Sequence, residues 1–91
     1  MVINRFEVWL VNLEPTLGSE INKTRPCLVI SPDVVNKHLN TITVAAMTGT
    51  IRPYPTRVNC NFQKRLGQVA LDQMRSVDKI RLIKKLGVLD K

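Results

Sequence analysis

The alternation of apolar and polar residues along the chain predicts a protein made mostly of short strands. Residues 6–13, FEVWLVNL, and residues 41–48, TITVAAMT, suit an extended chain whose successive side chains point to opposite faces. The continuous apolar run CLVIS at 27–31 is typical of a strand buried on both faces. Further strands are predicted at 56–60, 68–77 and 83–89. Five or six short strands with irregular connections favour a small barrel or a two-sheet roll.

The connections between these strands differ in length and in chemistry. A long polar loop over 14–26 is marked by Pro15, Gly18 and Pro26. The segment 49–55 cannot continue the preceding strand, because its two prolines lack the backbone N–H that a strand ladder needs. The remaining connections are predicted as a turn with some helical character at 32–40, a polar turn at 61–67 and a short helix that begins at Asp78.

Composition limits the size of the protein and suggests a class of partner. The 91 residues predict one domain over 1–91, and 44% of them are hydrophobic, which is enough for one compact core. Fourteen Lys and Arg residues against seven Asp and Glu give a net charge of +7. Such a charge favours a polyanionic partner such as nucleic acid, with an ordinary basic surface as the alternative.

The cysteines and the histidine exclude several kinds of site. Cys27 and Cys60 do not have metal-ligand spacing, and without a signal-peptide pattern we expect a reduced, cytoplasmic chain. A disulfide between the two cysteines is the less favoured alternative. No apolar stretch is long enough to span a membrane. His38 is the only histidine, so a histidine-based metal site and a two-histidine ribonuclease mechanism are both excluded.

The candidate chemistry lies where the long loop meets the second strand. Pro26 restricts Arg25 to extended conformations, so the guanidinium is aimed more narrowly than on a free loop. If strands 27–31 and 41–48 are antiparallel neighbours, the start of one meets the end of the other, which would bring Arg25 and Thr48 together. An arginine fork suits a phosphate or a developing oxyanion, and the threonine hydroxyl can donate beside it.

Each candidate also has an ordinary interpretation. Glu20, Lys23 and Arg25 could belong to a solvated loop, and Thr48 could be a strand-end hydroxyl bonded to the backbone. Asp72 is expected to pair with an arginine structurally, although it could also orient Arg25 or Arg75. Trp9 is expected in the core or an interface, and His38 on the surface.

Three stretches taken together resemble the MazF/PemK (Kid-type) toxins of bacterial toxin–antitoxin modules. They are EVWLVNLEPTLGSEINKTRPCLVISPD, VAAMTGTIRPYPTRV and VALDQMRSVDKIRLIKKLGVLD. The G-S-E…R-P loop, the strand ending in Thr, the Y-P-T-x-V segment and the D-Q-x-R-S/T-x-D segment occur in the family's order. The resemblance covers nearly the whole chain.

The resemblance implies a mainly β fold, a small SH3-like β-barrel of CcdB/MazF type with one or two short helices. It also implies a homodimer and a metal-independent, sequence-specific endoribonuclease, without a cofactor, that cuts single-stranded mRNA and leaves 2′,3′-cyclic phosphate and 5′-hydroxyl ends. Family members usually carry a C-terminal helix after the segment matching LGVLDK, which this sequence lacks. We therefore expect strand segments and the loop after Thr48 to carry more of the dimer interface.

The resemblance also assigns roles to residues. The family's catalytic arginine and threonine fall on Arg25 and Thr48. With the polarity of the two neighbouring loops, it predicts an RNA-binding set of Ser19, Glu20, Asn22, Lys23, Thr50, Arg52, Asp72 and Gln73, and no metal ligand. The expected partners are single-stranded mRNA and a cognate acidic, partly disordered antitoxin, with no membrane association.

Two other functions fit the same kind of barrel. A gyrase poison of CcdB type would not need Arg25 and Thr48 together. A non-catalytic RNA-binding barrel would be expected to offer exposed aromatic residues in the long loop for base stacking, and GSEINKTRP contains none.

Overall fold

The computed structural model describes residues 1–89 and contains mainly strands. The strands are β1 (Glu7–Asn12), β2 (Thr24–Val29), β3 (Thr41–Thr48), β4 (Arg57–Phe62), β5 (Arg65–Asp78) and β6 (Leu82–Val88). A short helix, α1 (Asp33–His38), joins β2 to β3, and a 3₁₀ turn (Lys79–Arg81) joins β5 to β6. The predicted mainly β fold with one or two short helices is confirmed.

All six strands form one antiparallel sheet in the order β4-β5-β3-β2-β1-β6. The sheet curls because β5 pairs with β3 in two different registers. Ala45 lies opposite Met74 and Met47 opposite Val69, so residues 70–73 of β5 face the single residue Ala46. An insertion of this kind bends a strand and increases its twist. The sheet therefore closes into a half-barrel with β4 and β6 at its edges.

Both faces of the central strands are buried, which explains the continuous apolar run of β2. Cys27 and Val29 belong to one hydrophobic cluster, with Trp9, Val11 and Val44, whereas Leu28 belongs to a second cluster on the other face, with Val8, Ala45 and Val69. The assignment of neighbouring residues to different clusters follows the two-residue period of a strand. Trp9 is therefore a core residue, and its indole N–H donates to Glu7 Oε1 at 2.9 Å, while His38 is exposed.

Most predicted elements agree with the structure, but the turn predicted at 61–67 is wrong in extent. Asn61 and Phe62 end β4, residues 65–67 begin β5, and only Gln63 and Lys64 form the turn. Both turn residues have positive φ, 52° and 65°, as a two-residue hairpin of type I′ requires. The hairpin lies at the sheet edge, where strand residues such as Asn61 and Arg65 are polar and exposed, so polarity did not distinguish strand from turn.

Candidate active site

The pairing of β2 with β3 brings Arg25 and Thr48 to the same place. Cys27 pairs with Ala46 and Leu28 with Ala45, and extending this register by two residues sets Arg25 opposite Thr48. The pairing of β2 with β3 begins at Cys27, one residue after Pro26, which has no N–H to donate. The two strand ends separate there and border a cavity of about 420 Å³, here called the arginine–threonine cavity.

Arg25 is half-buried at the wall of this cavity, with its guanidinium partly fixed. Its Nε donates to the carbonyl of Asn22 at 2.9 Å, which orients the group without using a terminal amino nitrogen. The described residues supply no hydrogen-bond acceptor to those terminal nitrogens, which can therefore bind a ligand. An arginine held in this way presents a fork suited to phosphate oxygens.

Thr48 is fixed from two sides. Its Oγ1 accepts a hydrogen bond from the N–H of Thr50 at 3.1 Å, so the hydroxyl proton stays free to donate. Behind it, Gly67 of β5 approaches so closely that a Cβ at that position would lie 2.8 Å from the Thr48 carbonyl oxygen. The close approach of the two strands therefore requires a glycine.

Gln68, the neighbour of Gly67, ties the segment 49–56 to the cavity. Its side chain is buried, with 3% exposed, and its Oε1 accepts from the N–H of Arg52 at 3.0 Å. Its Nε2 donates to the carbonyl of Arg52 at 3.0 Å and to Asn59 Oδ1 at 2.9 Å. The amide thus holds both backbone groups of one loop residue.

A smaller cavity of about 190 Å³ lies beneath the long loop, here called the loop cavity. Glu20 and Ile21 of the loop line it together with Asp72, Gln73 and Arg75 of β5. Gln73 Oε1 accepts from the N–H of Ile21 at 3.1 Å, so this side chain joins the loop to the sheet. The irregular pairing at residues 70–73 is what turns Asp72 and Gln73 towards the loop.

Asp72 pairs with Arg57, a residue that the sequence did not single out. Arg57 Nε donates to Asp72 Oδ1 at 2.8 Å and Nη2 donates to Oδ2 at 3.3 Å, while Thr56 Oγ1 donates to Oδ1 at 3.0 Å. The bonds from Arg57 and Thr56 lower the pKa of Asp72 to about 2. The predicted pairing of Asp72 with an arginine is present, but the arginine is neither Arg25 nor Arg75.

The other predicted RNA-binding residues line neither cavity. Several of them contact residues of the site through their backbone groups. Ser19 is exposed in the long loop, Asn22 supplies the carbonyl that holds Arg25, and the N–H of Lys23 donates to Glu14 Oε1 at 2.8 Å. Thr50 and Arg52 are exposed, and their backbone groups bond to Thr48 and Gln68. Their side chains are therefore free to meet a ligand at the rim.

Comparison with known proteins identifies the family. Residues 4–91 match the family described as PemK-like, MazF-like toxin of type II toxin–antitoxin system. The chain belongs to this toxin family. Endoribonuclease EndoA of Bacillus subtilis (strain 168) is 36% identical over 96 residues, which cover 99% of this chain and 83% of EndoA. The sequence-based assignment to an endoribonuclease toxin family is confirmed by these matches.

Solved structures of MazF toxins have the same fold. MazF from Deinococcus radiodurans superposes with a TM-score of 0.87 at 26% identity, over 99% of this chain and 84% of that one. Mycobacterium tuberculosis toxin MazF-mt6 gives 0.73 at 26% identity, over 91% and 79%. An endoribonuclease in complex with its cognate antitoxin from a mycobacterial species gives 0.80 at 24% identity, over 97% and 80%. The MazF-type barrel predicted from the sequence is therefore confirmed.

Several residues of this MazF-like site were missed by sequence reasoning. Gly67 and Gln68 shape the arginine–threonine cavity, and Gln63 and Arg65 line it, yet all four fall in or beside the segment predicted as a turn. Gly67, directly before the strand predicted at 68–77, was the available signal, because a glycine in a strand often marks a close backbone approach. Arg57 gave no signal beyond its charge, because its partner lies fifteen residues away.

Two further properties concern metals and membranes. Within residues 1–89, no group of three or more His, Cys, Asp or Glu side chains is arranged to hold a metal ion. Over the same range, no helix has the length and apolar character needed to cross a membrane.

Cys27 and Cys60 are both free thiols. Burial raises the pKa of Cys27 to about 12, and it also raises the pKa of Cys60 above its ordinary value.

Proposed function

We propose that residues 1–91 act as a single toxin domain, an endoribonuclease that cuts single-stranded mRNA and thereby stops translation and growth. The observation that carries the proposal is the meeting of Arg25 and Thr48 at the open end of the β2–β3 pair. The endoribonuclease activity of EndoA, 36% identical, supports it. A gyrase poison would have no need for these two side chains in one cavity.

The chemistry of cleavage explains why these two groups suffice for charge stabilisation. A 2′-hydroxyl attacks the adjacent phosphorus in line with the departing 5′-oxygen, which leaves a 2′,3′-cyclic phosphate and a 5′-hydroxyl. Negative charge accumulates on the phosphoryl oxygens in the transition state. Arg25 supplies fixed donors and a positive charge, and Thr48 supplies a neutral donor whose proton is free. No metal or other cofactor is needed for this stabilisation.

The structure also bears on proton transfer. Arginine rarely loses its proton, so we assign Arg25 to charge stabilisation. Asp72, with a pKa of about 2 and two partners, is a weak base at neutral pH. Glu20 lines the loop cavity, where its Oε1 accepts from the N–H of Leu17. We therefore give neither carboxylate a catalytic role. Both contribute to the shape of the loop cavity.

Two loops beside the cavity supply groups for reading unpaired bases. They are the long loop between β1 and β2, here called the first loop, and the segment between β3 and β4, here called the second loop. Ser19, Asn22 and Lys23 on the first loop, and Thr50 and Arg52 on the second, are exposed polar side chains. The side chain of Gln73 lines the cavity under the first loop. Base identity in single strands is read by hydrogen bonds to base edges and by stacking, and this set offers the hydrogen bonds.

Partners and location follow from charge and family. The net charge of +7 suits an acidic antitoxin that covers the RNA-binding surface, and a structural relative of this chain was solved with its cognate antitoxin. We further propose a cytoplasmic homodimer. Strand segments would form part of that dimer interface.

One experiment tests the proposed activity. The purified chain is incubated with a long single-stranded RNA in the presence of EDTA, and the cut ends are mapped. We expect discrete cuts at a recurring short motif, reduced by about 10²-fold or more in Arg25→Ala because a fixed charge is lost from the transition state. Arg5→Ala is the matched control, since Arg5 lies over Phe6 and lines neither cavity. Intact RNA with wild-type protein, or RNA retained without cutting, would refute the proposal.

A further inference from the structure

The segment between β3 and β4 presents the one tyrosine of the chain to solvent. Tyr54 lies in that segment and is 49% exposed. The long loop carries no aromatic residue, so this ring is the aromatic group that the loops around the site offer. A large exposed ring at the edge of a nucleic-acid groove suggests a flat ligand.

The backbone fixes the direction of this ring. Pro53 and Pro55 flank it, and a following proline confines Tyr54 to extended conformations. The N–H of Arg57 donates to the carbonyl of Tyr54 at 3.0 Å, which closes a turn with proline at its second position, where that residue is favoured. The ring is thus presented by a preorganised turn.

One face of the ring also carries a charged group. The guanidinium carbon of Arg57 lies 5.3 Å from the centre of the Tyr54 ring, within the range of a cation–π contact. Arg57 in turn is held by Asp72 through two hydrogen bonds, and its side chain is only 10% exposed. Because Asp72 balances the charge of Arg57, the assembly offers a phosphate little net attraction. A flat, uncharged group is the ligand that it fits.

Contacts tie the ring to both cavities. The backbone N–H and carbonyl of Arg52, two residues before Tyr54, form hydrogen bonds with the side chain of Gln68. Gln68 lines the arginine–threonine cavity. Asp72, which holds Arg57, lines the loop cavity. Tyr54 is therefore linked, through Arg52 and Arg57, to residues that line both cavities.

We propose that Tyr54 is a specificity-determining residue, a stacking surface for one unpaired nucleobase of the RNA bound at the arginine–threonine cavity. This inference rests on the proposed function and assigns a base-binding position to it. Aromatic side chains bind unpaired bases by stacking on their faces. Arg57 and Asp72 act as positioning residues that hold the ring in place.

The test uses the fact that Tyr54 is the sole tyrosine. Protein labelled with 3-fluorotyrosine gives a single ¹⁹F resonance, which is followed as a short single-stranded RNA is added. The RNA spans a cut site mapped with wild-type protein and carries a 2′-deoxy nucleotide at that site, so it binds without being cut. We expect the resonance to shift, because a stacked base changes the shielding at the ring.

Affinity measurements locate the base. Tyr54→Ala and Tyr54→Leu should each weaken RNA binding by about tenfold, while Tyr54→Phe, which keeps the ring, retains wild-type affinity. Replacing single nucleotides by abasic ones should reveal one position that weakens wild-type protein but not Tyr54→Ala. Val34→Ala, an exposed apolar residue on α1, is the control and should bind as wild type does.

The outcomes separate the two proposals. If wild-type protein cuts and binds RNA but the resonance does not move and every abasic position weakens wild type and Tyr54→Ala equally, the stacking role is overturned and the proposed function stands. If wild-type protein neither cuts nor binds RNA, the proposed function itself fails.

Discussion

Two loops border the candidate site, and each is tied to β5 by a glutamine, but the two ties differ in strength. Gln73 accepts one hydrogen bond, from Ile21 in the first loop, and is half-buried. Gln68 is 3% exposed and makes three hydrogen bonds, two of them to the backbone of Arg52 in the second loop. The second loop is therefore bound to the sheet by a side chain that has little access to water.

Other side-chain contacts of the two loops differ in the same way, apart from the hydrogen bond that Arg81 Nη1 donates to the Glu14 carbonyl at the start of the first loop. In the first loop, Glu20 accepts from Leu17 and Glu14 accepts from Lys23, so these side chains bond to their own loop. In the second, Thr56 and Arg57 both bond to Asp72 of β5. We infer that the second loop is already in its RNA-binding form, whereas the first can rearrange as RNA enters. Preorganisation of this kind lowers the cost of binding.

Replacing Gln68 should have the largest effect on this difference. Gln68→Met keeps the length of the side chain but removes three hydrogen bonds, so the free energy of unfolding should fall by about 1–3 kcal/mol. The Arg52 amide should exchange with solvent faster. RNA cleavage should fall, because the hydrogen bonds that hold the segment after Thr48 are lost. Urea unfolding, amide exchange and a cleavage assay measure the three effects.

Asn36→Leu is the control for stability alone. Asn36 is also a buried amide, with two hydrogen bonds to Ser31, but it lies on α1 and lines neither cavity. Its loss should lower stability to a similar degree and leave cleavage unchanged below the unfolding temperature. Equal losses of cleavage in the two variants would show that Gln68 acts through stability only.

The sequence predicts the strands, the helical turn and the meeting of Arg25 with Thr48 well, and the contacts of Gln68 poorly, for a physical reason. The meeting of Arg25 and Thr48 follows from one local rule, that adjacent antiparallel strands bring opposite ends together. The contacts of Gln68 with Arg52 depend on the shift of register between Ala45 and Met47, which places residues 70–73 of β5 opposite one residue of β3. Residue periodicity contains no information about such a shift. The pairing of Arg57 with Asp72 depends on it as well.

Acid should loosen the second loop by a smaller amount. The pKa of Asp72 is lowered from 3.8 to about 2 by its bonds to Arg57 and Thr56, so its contribution to stability is complete above the ordinary pKa. That contribution is lost as the pH falls from about 4 towards 2. Asp72→Asn should therefore be less stable than wild type by about 1 kcal/mol at neutral pH, with the two proteins converging near pH 2.

Urea unfolding of both proteins at several pH values measures this convergence. Glu7 also has a lowered pKa, because hydrogen bonds from Asn4 and Trp9 and the ion pair with Lys85 outweigh the effect of burial, which raises it. Glu7 is present in both proteins, so its titration cancels in the difference. A difference in stability that stays constant from neutral to acid pH would contradict the role given to the Asp72 charge.

Replacing Gln73 should have the smallest effect on stability and the most informative one on the first loop. Gln73→Met removes a single hydrogen bond to a partly buried amide, so the free energy of unfolding should fall by about 0.5–1 kcal/mol. The side chain of Ile21 still packs against the core, so the loop stays attached. The Ile21 amide should exchange with solvent faster, while exchange of the Arg52 amide is unaffected. In the cleavage assay KM should rise and kcat should stay the same, because Arg25 and Thr48 are untouched. Amide exchange with a comparison of KM and kcat tests this, and a stability loss as large as that of Gln68→Met would show that the two loops are held equally.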